Sequence, residues 1–384
     1  MQIDSFMSHF SILEDPRLNN HKQLHSLEDI LVLTLLAVIC GAESWVDIED
    51  FGKCNKSWLK KFLKFSNGIP SHDTIGGVFR RLEPEQFKAC FLSWVQSLVE
   101  VSEGDIITID GKTLRHSYDS ADKRNAIHMI SAWSCGNELV LGQFKTEEKS
   151  NEITAIPELL KVLNLTGCTV TIDAMGCQKK IAKDIVKGGG DYVLSLKENH
   201  KTLHDDVALY MESLRSGHLK NRHFDYFEHS EKGHGRIETR RHWITDNIDW
   251  LDGKSSWSSM KSIGMVERER QVKDKISKEI HFYISSREAD AKEFAKCVRS
   301  HWEVENKLHW VLDVCFNEDA CRVRKDFSAE NFAVIRHLAL NLLKQENTFK
   351  GSMRRKRKRA GWDRDYLIKI MQLTAEKPKV AEID

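Results

Sequence analysis

The spacing of apolar residues changes along the chain, and each texture predicts a different architecture. Over residues 1 to about 100 the spacing is helical. Ser26 followed by Asp29 reads as a capping box. It opens an apolar run from Ile30 to Cys40, interrupted by Thr34 and ended by Gly41. Trp45, Ile48 and Phe51, then Trp58 and Phe62, continue the helical pattern until Gly68-Ile69-Pro70 breaks it, and Ser71 caps a third helix. These residues predict a small all-helical N-terminal domain.

Beyond Gly104 short apolar strands alternate with helices: IITID, AIHMISAW, LVLGQFK, a helix over 153–163, TVTID, a helix through Ile181 and Ile185, and YVLSL. This is the texture of an α/β domain. Three adjacent strands followed by strand, helix, strand is the order of an RNase H-like core, although periodicity alone does not separate that core from other mixed sheets. From about 222 to 288 the chain is strand-rich again, with HFDYFEH, RIETRRHWI, SIGMVERERQV and EIHFYISS carrying polar residues in alternation. That alternation suits a half-exposed antiparallel sheet. Helical stretches over about 293–316 and 329–343 follow. The resulting division is 1–100, 101–345 with its strand-rich insertion, and a basic C-terminal segment over 346–384.

Composition narrows the function less than pattern does. Across 384 residues, 58 Lys and Arg meet 57 Asp and Glu, so any basic surface must be local. Nine cysteines lie singly, without the C-x-x-C pairs of a zinc or redox site, which predicts buried free thiols in a reducing cytoplasm. The run ending at Cys40 has about half of the ~20 residues a bilayer requires. A cytoplasmic protein with no membrane partner is expected.

Candidate chemistry comes from two strands that end alike. Thr108-Ile109-Asp110-Gly111 and Thr171-Ile172-Asp173-Ala174 each place an acid after an apolar strand and before a small residue. Ligands of α/β sheets gather at the carboxyl ends of strands, so two such strands side by side would aim both carboxylates at one point. A hard cation such as Mg²⁺ suits carboxylate oxygens, and the chain offers no His and Cys set for zinc. The plainer alternative is that each Asp caps its own turn. A third acid is available on the segment RSHWEVENKLHWVLDV. There Phe294, Val298, Glu305, Leu308, Leu312 and Phe316 recur at helical steps, placing Glu305 in the stripe that faces the sheet. Glu303 has Arg299 and Lys307 four residues away on either side, the pattern of a solvated ion-paired face. His301 and His309 flank Glu305, and Trp302 and Trp310 read as core or interface residues.

Longer strings carry a resemblance. DPR at 15–17, CGAESW at 40–45, GIPSHDT at 68–74, IDGKTLR, TIDAMGCQ, GHGRIETR and HWEVENKLHWVLDVCFNEDACR, in this order and nearly end to end, resemble insertion-sequence transposases of the DDE superfamily associated with H-repeat elements. The resemblance implies that Asp110, Asp173 and Glu305 are the three catalytic, metal-binding acids. It also implies metal-dependent cleavage of DNA at element ends and strand transfer into a target, with two Mg²⁺ ions per site and Mn²⁺ as a substitute. Some relatives carry a Tyr-Arg-Glu-Lys signature around the glutamate. Here Val298, His301 and Leu312 stand at the other three positions, so roles tied to that signature do not carry over.

Several cations would then face double-stranded DNA, both element ends and target. Lys112 and Arg115 follow Asp110 closely enough to hold a phosphate near the metals, with a solvated surface role as the equal alternative. Arg354, Arg355, Lys356, Arg357, Lys358 and Arg359 form the densest run, which suits sequence-independent phosphate binding, with a solvated loop as the alternative. Gly233-His234-Gly235-Arg236 reads as a hairpin turn presenting Arg236, Arg240 and Arg241 to DNA, unless cross-strand ion pairs occupy them. Synapsis of two ends makes a homodimer an expectation. An RNase H-like nuclease without strand transfer, and an inactive DNA-binding relic, are the competing functions.

Overall fold

A computed structural model describes residues 3–17, 23–99, 104–118, 126–146, 152–219, 223–233 and 235–372. His234 and residues 373–384, which the sequence reading places in the hairpin turn and the basic C-terminal segment, lie outside the described residues.

The N-terminal part is helical: α1 (Ile3–Ser8), α2 (Leu27–Cys40), α3 (Trp45–Cys54), α4 (Lys56–Leu59), α5 (His72–Phe79) and α6 (Pro84–Leu98). Ser26 caps α2 through the amide of Asp29, and Gly41 ends it at φ 118°, where a side chain would be strained. Only half of the expected capping box forms. The Asp29 carboxylate instead accepts the amides of Lys64 and Phe65 and so ties α2 to the segment after α4. A full box does form at Ser44 and Asp47, which start α3. Trp45 stacks on Phe79 with ring centroids 5.1 Å apart and meets Phe332 at 4.9 Å. The N-terminal helices therefore share a continuous apolar core with the rest of the chain.

The remainder is built on one sheet. β1 (Ile106–Thr113), β2 (His128–Ser134), β3 (Leu139–Thr146), β4 (Thr169–Ile172) and β5 (Asp191–Leu196) lie in the order β3-β2-β1-β4-β5. β1 to β3 are antiparallel neighbours, and β4 and β5 run parallel to β1. This is the RNase H-like topology. α7 (Glu152–Val162) and α8 (Lys179–Lys187) provide the crossovers, and α9 (Lys201–Arg215) leads from β5 into the insertion. The apolar pattern does not announce α6 or α9. β6 (Asp225–Gly233), β7 (Arg236–Thr245), β8 (Ser262–Val272) and β9 (Lys275–Ser285) form the antiparallel insertion. It continues the main sheet, because β9 pairs with β5, giving nine strands ordered β3-β2-β1-β4-β5-β9-β8-β7-β6.

After the insertion come α10 (Ala291–Val304), a π-helical turn over Glu305–His309, α11 (Trp310–Phe316), α12 (Ser328–Gln345), α13 (Met353–Trp362) and α14 (Arg364–Gln372). α10 covers one face of the sheet and α7 the other, so the central strands are buried on both sides and read as continuous apolar runs. No single helix among the described residues is long and apolar enough to cross a membrane. All nine cysteines are free thiols, but Cys54 is exposed.

The basic run is helix α13, docked on the core, which is a correction to its reading as a solvated or wholly DNA-facing segment. Arg357 is buried, donates to the Val38 carbonyl at the end of α2 at 2.6 Å, and stacks on Phe316 at 4.2 Å. Lys356 donates to the Leu343 carbonyl of α12 at 2.8 Å. Both cations satisfy carbonyls at helix C-termini, where positive charge is favoured. Arg359 lies over Phe349 and Tyr366 and pairs with Asp363, and Arg355 lies over Phe349. Arg354, Arg355 and Lys358 remain exposed.

Candidate active site

Strand register brings the two aspartates together. β1 and β4 pair in parallel with Ile109 opposite Ile172, so Asp110 and Asp173 leave neighbouring strands at the same level. Neighbouring strands lie roughly 4.8 Å apart. Side-chain alternation sends Thr108 and Asp110 towards α10, where the Thr108 hydroxyl approaches the Ser300 carbonyl at 3.5 Å. The turn-capping alternative holds for one oxygen of Asp173 but not for Asp110, because β1 continues past it to Thr113. Asp110 Oδ1 accepts its neighbour Gly111 N at 2.9 Å, and Asp173 Oδ1 accepts Met175 N at 3.0 Å and Gly176 N at 3.3 Å. Asp110 Oδ2 faces His309 Nδ1 at 3.5 Å.

Burial raises the Asp110 pKa to about 7, and the carboxylates of Asp173, Glu152 and Glu305 add to the rise against the opposing Gly111 hydrogen bond. A cluster of acids at the end of a buried strand carries uncompensated negative charge, the condition a divalent cation relieves. As they stand, however, no three His, Cys, Asp or Glu side chains among the described residues converge closely enough to hold a metal ion.

Glu305 departs from its expected setting. The buried line of the helix passes through Phe294, Val298, Val304, Leu308, Leu312 and Phe316, and Glu305 lies beside it, exposed. From Glu305 onward a π turn widens the helix, so the buried positions that follow depart from the phase of an unbroken helix. Glu303 pairs with Lys307 at 2.8 Å as expected, whereas Arg299 reaches Glu231 at 3.4 Å instead. Trp302 and Trp310 are 43% and 56% exposed, contrary to a core role. His301 is partly buried and the His309 side chain is only 13% exposed; burial lowers the pKa of both, to about 4 for His309.

Sequence reasoning missed Glu152 and His128. His128 Nε2 lies 2.5 Å from Glu152 Oε1, and its Nδ1 lies 2.9 Å from the Thr113 hydroxyl. This pair packs on the face of β1 opposite Asp110, directly over Gly111, where any Cβ would collide with both side chains. The glycine of IDGK is thus required by close packing. Nothing in the spacing of Glu152 could have flagged it, because the pair forms only across strand and helix.

Lys112 is not free to hold a phosphate, which corrects the sequence reading. Its ammonium is 11% exposed and contacts Asp313 at 2.5 Å, Glu318 at 2.8 Å and Asp319 at 3.3 Å. Burial works against its charge, but Glu318 and Asp313 outweigh it and its pKa is raised. The contacts clamp α11 and the turn after it to the strand carrying Asp110. Lys112→Met leaves the buried Glu318 with Arg336 at 3.6 Å as its remaining cation, and is expected to cost about 3 kcal/mol. Arg115→Gln, at a side chain 78% exposed and 3.2 Å from Asp319, should cost well under 1 kcal/mol. Urea unfolding of both variants checks this, and equal midpoints would refute the clamp.

The other cations divide. Arg236 pairs with Glu238 at 2.6 Å. Arg241 is held by Glu228, Glu267 and Glu269, the cross-strand pairing foreseen as the alternative to DNA contact.

A family model described as the Transposase DDE domain matches residues 102–342, so it covers more than half of the chain, both aspartates and Glu305. The chain belongs to the DDE transposase family. A second model, described as DDE_Tnp_1-associated, matches residues 7–95, the helical N-terminal part of the transposase. The "H repeat-associated putative transposase YhhI" of Escherichia coli (strain K12) is 46% identical over 376 residues, 97% of this chain and 98% of that protein. The "Inactive transposase YbfQ" of the same strain is 51% identical over 78 residues, 20% of this chain and 92% of its own length. Among solved structures, a piggyBac transposase synaptic complex with hairpin DNA overlaps 99% of this chain and 79% of its own. Its TM-score is 0.43 and its identity 12%, too loose an overlap to support a statement about this chain.

Proposed function

We propose that this transposase cuts DNA at the ends of an insertion element and joins the freed ends to a target, with Asp110, Asp173 and Glu305 as the catalytic and metal-binding acids. The observation that carries the reading is the shared level of Asp110, within β1, and Asp173, just past β4, where the parallel pairing of the two strands ends, with the Glu305 carboxylate adding to the rise of the Asp110 pKa. Family membership supports it.

The donor set fits a hard divalent cation: Asp110 and Asp173 each keep one carboxylate oxygen outside their backbone hydrogen bonds, and Glu305 is solvent-accessible. Mg²⁺, with Mn²⁺ as a substitute and two ions as the expected number, would supply charge neutralisation for in-line phosphoryl transfer. The chain's own contribution is positional. β1 and β4 fix the two aspartates, the Lys112 clamp ties the helical segment after Glu305 to β1, and His309 flanks Asp110 Oδ2.

Double-stranded DNA is the proposed partner, with a homodimer bringing two element ends together. Of the cations proposed from sequence, Arg115, Arg236, Arg354, Arg355 and Lys358 keep enough exposure to meet phosphate. Incubation with labelled element ends, a target plasmid and Mg²⁺ tests the reading. Joined products are expected; cleavage without joining would reassign the protein as a nuclease, and binding without cleavage as an inactive relic.

A further inference from the structure

Beside Glu305, the inserted strands and α10 enclose a cleft of about 780 Å³. Its lining includes Glu305 and Asn306, so it reaches the acid that the helical segment contributes to the proposed site. Seven Lys and Arg side chains line it against three glutamates, in a chain whose net charge is only +1. The excess is not neutralised within the wall. Glu238, only 5% exposed, sits among Arg236, Arg240 and Arg268, and Glu231 serves Arg240 and Arg299, so four guanidinium groups share these two lining carboxylates, with Glu279, 3.8 Å from Arg268, as one further partner outside the lining. Burial and the neighbouring charges of Arg299 and Arg268 depress the Arg240 pKa, as expected where cations crowd. Arg268 Nε is buried without a hydrogen-bond partner. Of the aromatic groups in the lining, Trp302, 43% exposed, and the partly buried Phe227 are accessible, while His242 and Tyr283 are buried behind them.

We propose that this cleft binds one DNA strand through its phosphodiester backbone, next to the carboxylate site; the proposal rests on the DNA-cleaving reading above. Size selects a single strand. Pockets of about 300–1,000 Å³ enclose drug-sized ligands, which is room for a nucleotide or two and far too little for a duplex. Composition agrees, since a cationic groove interleaved with aromatic rings is how proteins track an unpaired strand. The buried Glu238 and the partly exposed Glu231 hold the arginines in place beforehand, so little side-chain freedom remains to be lost when phosphate arrives. The insertion is therefore the part of the protein that receives the strand leading to or from the scissile phosphate.

The test uses the whole chain in chelator, a labelled single-stranded oligonucleotide and its duplex, and fluorescence anisotropy at several salt concentrations. Arg268 and Arg299 are 31% and 47% exposed, so Arg268→Gln with Arg299→Gln should leave the melting temperature nearly unchanged. For the single strand, the slope of log affinity against log salt should fall by about 1.4 in the double variant, about 0.7 for each phosphate no longer neutralised. Arg299→Gln alone should give half of that. The duplex slope should hold, as should both slopes in a Lys183→Gln, Lys187→Gln control on exposed positions of α8. Wild-type binding with an unchanged single-strand slope in the double variant would overturn the cleft and leave the DNA reading standing. Equal reductions for single strand and duplex would overturn the single-strand assignment, and a wild-type protein that binds neither would overturn both readings.

Discussion

Asp110→Asn should abolish Mg²⁺-dependent cleavage and, in metal-free buffer at pH 8, raise stability by on the order of 3 kcal/mol. Loss of cleavage follows from removing a charged metal ligand at little cost in packing. The gain in stability follows from the sign of the pKa shift. The Asp110 carboxyl rises from an ordinary 3.8 to about 7 because burial, with Asp173, Glu152 and Glu305 nearby, penalises its ionised form. An acid with a raised folded pKa destabilises the fold only where it must ionise. The penalty is absent below about pH 3.8, grows from there to about pH 7, and is full above it. An amide carries no such penalty, so the variant's advantage should shrink as pH falls. Added Mg²⁺ should stabilise the wild type and leave the variant's melting temperature much less changed, since only a ligand that binds the folded state shifts the equilibrium. Thermal unfolding at pH 8 and pH 5.5, with and without Mg²⁺, measures all of this. A variant less stable than wild type at pH 8 would mean that Asp110 serves the fold through its hydrogen bond from Gly111 N more than it strains it.

How far the sequence discloses the site depends on whether its cause is local. The repeated Thr-Ile-Asp strings are local, and strand order does the rest: once β1 and β4 are neighbours with Ile109 beside Ile172, the two acids must meet. The central strands were legible because burial on both faces leaves an unbroken apolar run. The insertion was legible as alternating strands, but its union with the main sheet was not, because the β5 and β9 pairing joins residues far apart in sequence. Charge was the least legible. A lysine two residues from Asp110 invites a phosphate-binding role, and only the return of Asp313, Glu318 and Asp319 to β1 makes it a clamp. Likewise six consecutive cations at 354–359 look uniform in sequence, and helical periodicity then turns Arg357 into the core and Lys358 out to solvent. The cleft beside Glu305 draws its arginines from β7, β8 and α10, so no single stretch of sequence announces it.

Glu305→Gln and Glu303→Gln should separate sharply, although the residues lie two apart on one helical segment. Glu303 pairs with Lys307, which Glu138 also holds at 2.9 Å, so its removal leaves the lysine a partner and costs only a few tenths of a kcal/mol. Near-normal cleavage and an unchanged melting temperature are expected. Glu305 is exposed and makes no ion pair among the described residues, so its amide should also fold normally. Its electrostatic coupling to Asp110 and its place at the end of the cationic cleft are what distinguish it. Glutamine keeps the volume but removes a negative ligand, so cleavage should fall by two or more orders of magnitude, roughly the loss of several kcal/mol of transition-state stabilisation. The concentration of Mg²⁺ needed for half-maximal thermal stabilisation should also rise for Glu305→Gln and stay put for Glu303→Gln. Nicking assays and metal titrations on both variants decide the matter: an active Glu305→Gln beside an inactive Glu303→Gln would mean that the π turn presents the other glutamate to the aspartates.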